Sequence, residues 1–257
     1  MVNDSSYEPR AAAAVGHVLK KLHLIFADKG PAIVLVGGSV PAQVCEKGEP
    51  HKGTIDLDLV ISEVEGETNP PLDFRTRLLR NDFKVGSQEN RFVFETDDGD
   101  SVPVEFIAGE TRWKRSAFIT VGDAKALLVK GGELAYRYNE PIGKGMLRVA
   151  APVAFLCMKA FAASDTGRGK SSKDCYDIVY YTKYYRGGME RIAESITSAL
   201  GDELVKEGIN KLFSLFQTVD SKGPMGYAQF FTDAEKTMLS RHAFETMNEL
   251  LGMVKTS

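Results

Sequence analysis

The chain has 257 residues, 43% of them hydrophobic, which is enough for one large domain or two small ones with a packed core. With 32 basic and 35 acidic residues the net charge is -3, so the overall balance announces neither a nucleic-acid nor a membrane partner. Three cysteines, Cys45, Cys157 and Cys175, in no metal-like spacing point to a reduced, cytoplasmic protein without a disulfide framework, and four scattered histidines argue against a His-rich metal site.

The opening AAAAV run is too short for the apolar core of a signal peptide, and no window reaches the length of a membrane span. Val15, Val18, Leu19, Leu22 and Ile25 recur at helical spacing, with Gly30 closing the segment, so a helix comes first. AIVLV then reads as a short strand ending in Gly37-Gly38-Ser39. TIDLDLVI reads as a second strand, with room between them for a short helix and a loop. LDFRTRLLRNDF returns to helical spacing. RFVFETDDGDSVPVEFIAG reads as a hairpin around an Asp-Asp-Gly-Asp turn. After about residue 120 the composition shifts towards helices: VAAPVAFLCMKAFAAS, SSKDCYDIVYYTKYY, MERIAESITSALG, DELVKEGINKLFSLF and the final TDAEKTMLSRHAFETMNELLGMVK. The expectation is two closely packed domains, residues 1–120 and 121–257, with no internal repeat.

On a strand, residues i and i+2 point to the same face, so Asp56 and Asp58 project together while Ile55, Leu57 and Leu59 point the other way. Two carboxylates so close repel unless a cation sits between them or one takes a proton. Their all-oxygen set suits Mg²⁺, whose octahedron substrate phosphates and water complete. The alternative is the solvated face of an edge strand. Gly37-Gly38-Ser39 supplies backbone N–H groups that small residues let a phosphate approach. An anion site and a cation site so near in sequence suit a nucleoside triphosphate bound with Mg²⁺. Glu105 is a lone charge in an apolar strand. It reads as a third metal ligand, as the base that deprotonates an attacking hydroxyl, or as the partner of a basic side chain such as Arg112.

Together, Gly37-Gly38-Ser39, Thr54-x-Asp56-x-Asp58 and a later strand acid resemble the nucleotidyltransferase superfamily that shares the polymerase-β palm. More narrowly, HKGTIDLDLVI followed by the helices carrying Lys159 and Lys173-Asp174-x-x-Asp177 resembles the AbiEii-type and MenT-like toxin nucleotidyltransferases, over roughly residues 33 to 185. Lys52 stands where members usually carry an arginine, and Glu105 where the third acid is more often aspartate. The resemblance implies an α+β fold, a palm with a small mixed sheet followed by a C-terminal helical bundle closing over the nucleotide. It implies metal ligation by Asp56, Asp58 and Glu105. Nucleotide binding falls to Gly37, Gly38, Ser39, Lys52, Thr54, Lys173, Asp174 and Asp177, and Lys159 steadies the triphosphate. It also implies an NTP substrate, a tRNA 3′ end as acceptor, and a cognate antitoxin. A small-molecule acceptor, as in aminoglycoside-type enzymes, and a non-catalytic nucleotide- or RNA-binding module are the rival expectations.

Physically, Lys159 in an apolar helix needs an anionic partner, and Asp174 and Asp177, three apart on a helix, share a face that could hold Lys159 or Lys173. A structural salt-bridge cluster is the other reading of this group. TGRGKSS invites a P-loop reading but has Ser164 where the first glycine belongs and follows a helix, so it is rejected. Its basic residues and the tyrosines Tyr176, Tyr180, Tyr181, Tyr184 and Tyr185 suit either contact with RNA or packing between helices.

Overall fold

The structure, a computed structural model, describes residues 9–28, 32–46, 51–62, 73–109, 118–142, 147–165, 167 and 169–255. The chain divides into two compact units. One comprises Met1–Ala42 and Lys52–Ala150, the other Gln43–His51 and Ala151–Ser257.

The first unit is built on a mixed sheet. Strands β1 (Ile33–Val36), β2 (Leu57–Ile61) and β5 (Ser101–Gly109) form its middle, with β2 antiparallel to β1 and parallel to β5. They read as apolar runs because they are covered on both faces: all four residues of β1 and four of the five in β2 are buried. The far edge of β5 is shared. Its first half pairs with β4 (Arg91–Glu95), the expected hairpin partner, and its last residues pair with β7 (Ala124–Val129). Outside these lie β3 (Lys84–Val85) on β4, β6 (Phe118–Val121) on β7, and β9 (Arg148–Ala150) on β1 with β8 (Asn139–Pro141) beyond it. Helix α1 (Pro9–Ile25) buries the five apolar positions that its spacing marks out. A short α2 (Pro41–Val44) follows the glycine turn, and α3 (Phe74–Arg80) is capped by Asp123, whose carboxylate accepts the Arg75 and Thr76 N–H groups at 2.8 Å each. Arg77 grips Asp28 through two bonds of 2.6 and 2.7 Å and so ties α3 to the end of α1.

The sheet unit extends to Ala150, past the compositional shift near residue 120, because β6 to β9 and α4 (Gly132–Arg137) all belong to it. The helices of the second unit begin with α5 (Pro152–Ser164), with Pro152 in its first turn. Then come α6 (Ser171–Tyr184), α7 (Gly188–Ala199), α8 (Glu203–Leu215), α9 (Lys222–Ala228) and α10 (Lys236–Lys255). All but α9 are foreshadowed by the sequence pattern. Gly208 lets α8 approach α5: a Cβ there would lie 2.6 Å from the Cys157 sulfur. Residues 43–46 join this unit through main-chain bonds, from Glu46 N–H to the Tyr184 carbonyl and from Arg186 N–H to the Val44 carbonyl, both 2.9 Å. The α+β architecture expected from the sequence is thus present, as a mixed sheet in one unit and helices in the other. No helix among the described residues is long and apolar enough to cross a membrane.

Candidate functional site

In the sheet unit, β1 ends in a single 3-10 turn over Gly37–Ser39. Gly37 has a φ of 74°, in the left-handed region, and a Cβ at this position would lie 2.0 Å from Oδ2 of Asp58. Only glycine satisfies both conditions, so the Asp58 carboxylate packs directly against the turn backbone. Ser39, itself buried, donates from Oγ to the Asp56 carbonyl at 2.8 Å. Its hydroxyl proton is therefore committed to the acidic segment. Thr54 Oγ1 accepts the Asp56 N–H at 3.2 Å and fixes the approach to β2. The glycine turn and the Asp-x-Asp are thus one piece of structure, with Asp56 just before β2 and Asp58 within it.

Strand register extends that piece sideways. Val36 faces Asp58, Asp58 faces Glu105, and Glu105 faces Arg91, so β1, β2, β5 and β4 contribute successive members of one row. The Arg91 guanidinium lies 3.2 Å from Asp56 Oδ1 and 3.3 Å from Glu105 Oε1, bridging two of the three acids. Glu105 thus has a basic partner, and it is Arg91; Arg112 lies outside the described residues. Sequence reasoning passed over Arg91, although counting back from the Asp-Asp-Gly-Asp turn sets it opposite Glu105.

The donor chemistry fits a divalent cation of the Mg²⁺ type: carboxylate oxygens only, one of them seated where a side chain at residue 37 would otherwise stand. The described His, Cys, Asp and Glu side chains include no group of three or more placed to hold a metal, so the set available is the Asp56 and Asp58 pair, with Glu105 held by Arg91.

Four further candidates, Lys159, Lys173, Asp174 and Asp177, gather in the helical unit, whereas Lys52 belongs to the sheet unit. Lys159, on α5, is buried and reaches Asp174 at 2.8 Å and Asp177 at 2.6 Å, both on α6. Asp177 also receives Lys173 at 3.0 Å and His51 Nε2 at 3.0 Å. The contact between Lys159 and the two aspartates is the one that helical spacing suggests. Lys159 is accordingly saturated with carboxylates rather than presented to a phosphate. Burial alone would push the Asp177 carboxyl up, but Lys159, then Lys173 and His51, hold it far below the usual carboxylate range. Burial likewise opposes the charge on Lys159, and Asp177 and Asp174 overcome it, so the ammonium stays protonated throughout. His51 is shifted down, chiefly by burial, with Lys173 and Lys159 adding to it against the Asp177 hydrogen bond. A neutral ring with its proton on Nε2 donates to Asp177 and leaves Nδ1 buried without a partner.

A pH dependence follows. His51 resists protonation in the folded unit, so stability falls as pH drops through 6.5 towards its depressed folded value. Asp177 adds a second loss below its ordinary value of 3.8, because its pKa too is lower folded than unfolded. Melting followed by far-UV circular dichroism should show a falling midpoint from near neutrality downwards, and His51→Phe should remove the upper part of that slope. A midpoint independent of pH above 5 would contradict the His51 assignment.

Around His51 the rings of Tyr176 and Tyr180 lie at 5.3 and 4.7 Å, and Tyr176 stacks on Phe230 at 4.8 Å. Tyr176, Tyr181 and Tyr185 are buried and serve packing, whereas Tyr180 and Tyr184 are half-buried. All three cysteines are free, and burial pushes each thiol up to about 12, so they remain neutral.

No protein-family model matches the chain, and no curated protein matches it. Solved structures with similarity include an antigenic nucleotidyltransferase-like protein from Paracoccidioides brasiliensis (15% identity, TM-score 0.44, covering 78% of this chain and 88% of that one). JHP933 from Helicobacter pylori is 13% identical at a TM-score of 0.45, covering 98% and 96%. The Bradyrhizobium diazoefficiens CD-NTase CdnG, solved with GTP, is 14% identical at 0.30, covering 97% and 89%. At these values the chemistry of the site has to be read from its own side chains.

Proposed function

We propose that the protein is a Mg²⁺-dependent nucleotidyltransferase that moves a nucleoside monophosphate from an NTP to an acceptor hydroxyl and releases pyrophosphate. The observation that carries this reading is the fusion of the Gly37–Ser39 turn with the Asp56 and Asp58 carboxylates, through a glycine that only an absent side chain permits. Backbone amides for phosphate then stand against oxygens for the cation that accompanies it. Asp56 and Asp58 would hold Mg²⁺, which when bound neutralises charge on the transferring phosphate. Asp58 is steadied by the turn beneath it, Asp56 by Thr54, and Glu105 is the carboxylate available to take the proton of the attacking hydroxyl. Lys159, Asp174 and Asp177 act by bracing the helical unit. Lys52, half-buried two residues before Thr54, is the cation nearest the motif in sequence.

The Lys159 and Lys173-Asp174-x-x-Asp177 pattern, which is that of AbiEii-type and MenT-like toxins, supports a tRNA 3′ end as acceptor and a cognate antitoxin as partner. The test is incubation with each α-labelled NTP, Mg²⁺ and total tRNA, reading which species gains label. Asp58→Asn should lower transfer on the order of 10²-fold or more, since a carboxylate on a catalytic metal is worth several kcal/mol at the transition state. Its melting temperature should stay near that of the wild type. Label passing to small hydroxyl compounds instead would favour the aminoglycoside-type acceptor. One observation favours a second reading, a nucleotide-binding module without chemistry: the Arg91 guanidinium already neutralises Asp56 and Glu105. Unchanged transfer or toxicity in Asp58→Asn would sink the catalytic reading and leave that one.

A further inference from the structure

The two charge clusters differ in tightness. Lys159 is buried and meets its carboxylates at 2.6 to 2.8 Å, the range of strong charge-assisted bonds. Arg91 meets Asp56 and Glu105 at 3.2 and 3.3 Å, and the three side chains are 29%, 31% and 22% exposed. Pairs this long and this wet exchange readily. The Arg91 backbone, by contrast, is fixed: its N–H bonds the Gln88 carbonyl at 3.0 Å, its own carbonyl accepts Gly86 N–H at 2.7 Å, and its register opposite Glu105 is set by the hairpin. A rigidly mounted base thus carries a loosely held head among the acids to which the proposed cation would bind.

We infer that Arg91 is a built-in counter-cation of this carboxylate row, competing with the divalent ion for Asp56 and giving it up when the ion arrives. This rests on the proposed nucleotidyltransferase reading. Electrostatics sets the sign. Without a cation the acids repel one another, and the guanidinium relieves that repulsion. A divalent ion on Asp56 and Asp58 must then evict the guanidinium from Asp56 and tolerate a positive charge nearby, both of which weaken its binding. Arg91 is a positioning residue, since it touches Asp56 and Glu105 and acts through them, and release from Asp56 lets the head swing. The site would thus be kept closed to stray cations.

The test is Mn²⁺ binding to the full chain without nucleotide, followed by calorimetry and by loss of the free-ion paramagnetic resonance signal. Arg91→Gln should bind Mn²⁺ on the order of tenfold more tightly than wild type, the effect of removing one neighbouring charge. Arg91→Lys keeps the charge but not the two-pronged grip and should fall between them; it also keeps the comparison readable if Arg91→Gln does not fold. A merely structural arginine predicts equal or weaker binding in both variants. Wild-type binding that neither variant strengthens overturns the role of Arg91 and spares the metal reading. Wild type, Arg91→Gln and Arg91→Lys that all fail to bind Mn²⁺ at millimolar concentration overturn both.

Discussion

Lys159→Met is expected to lower the stability of the helical unit by about 3–5 kcal/mol, the cost of removing one partner from a buried ion pair. The physical reason is desolvation. Asp177, with no exposed side-chain surface, and Asp174, nearly as buried, remain as anions that water cannot reach. Lys173 and His51 still touch Asp177, which places the loss towards the lower end of the range. Urea unfolding measures it, and a change under about 1 kcal/mol would mean that the cluster relaxes into solvent. The triple variant Lys159→Met with Asp174→Asn and Asp177→Asn should recover part of the loss, because no unpaired charge is left inside. If Lys159 instead acted directly on a triphosphate, Lys159→Met would fold normally and fail only in transfer.

Gly37→Ala should cost about 2–6 kcal/mol and abolish transfer. Two penalties add at one position. A side chain with φ near 74° costs about 1–3 kcal/mol. Overpacking against Asp58, whose oxygen lies 2.0 Å from the new carbon, costs about 1–3 kcal/mol more. The two separate in a double-mutant cycle: Asp58→Ala removes the contacts at 2.0 and 2.9 Å and leaves the backbone strain with a tight 3.1 Å approach to the Cβ of residue 58. Gly37→Ala should therefore be less harmful in the Asp58→Ala background than in the wild type, with a coupling of about 1 kcal/mol or more. Additive effects would show that the turn and the strand do not communicate through that contact.

Much of the middle of the first unit was legible because its turn and its strands are marked by glycines and apolar runs. The glycines at the end of β1 signal a turn, and the acids flanking the start of β2 interrupt an apolar run. The five apolar positions of α1 were legible for the plainest reason, a helical period. Strands β6 to β9 were not. They span three to six residues each, and in FITV, AKALLV, NEP and RVA the pairing is decided by sheet neighbours distant in sequence, such as Val34 with Arg148 and Ile107 with Leu127. Helix α9, KGPMGYA, carries two glycines and a proline, against its own propensity, and packing beside α6 and α10 overrides it. The fate of the charges was harder still. Spacing could bring Lys159 to Asp174 and Asp177, but nothing local says that His51 joins them. Arg91 is one ordinary arginine until hairpin register sets it opposite Glu105.

The second unit claims residues 43–51 from the middle of the first, and this bears on the order in which a growing chain can settle. His51 meets Asp177 across 126 positions. At roughly 5–20 residues per second of synthesis, His51 waits about 6–25 s for its partner to be made. Until then the stretch leading into Thr54 and Asp56 has its downstream anchors but lacks its upstream one. The acids at the heart of the proposed site can therefore be correctly paired within the sheet while the loop that feeds them is still unclaimed. A fragment cut after Ala150 would remain in that unfinished condition permanently.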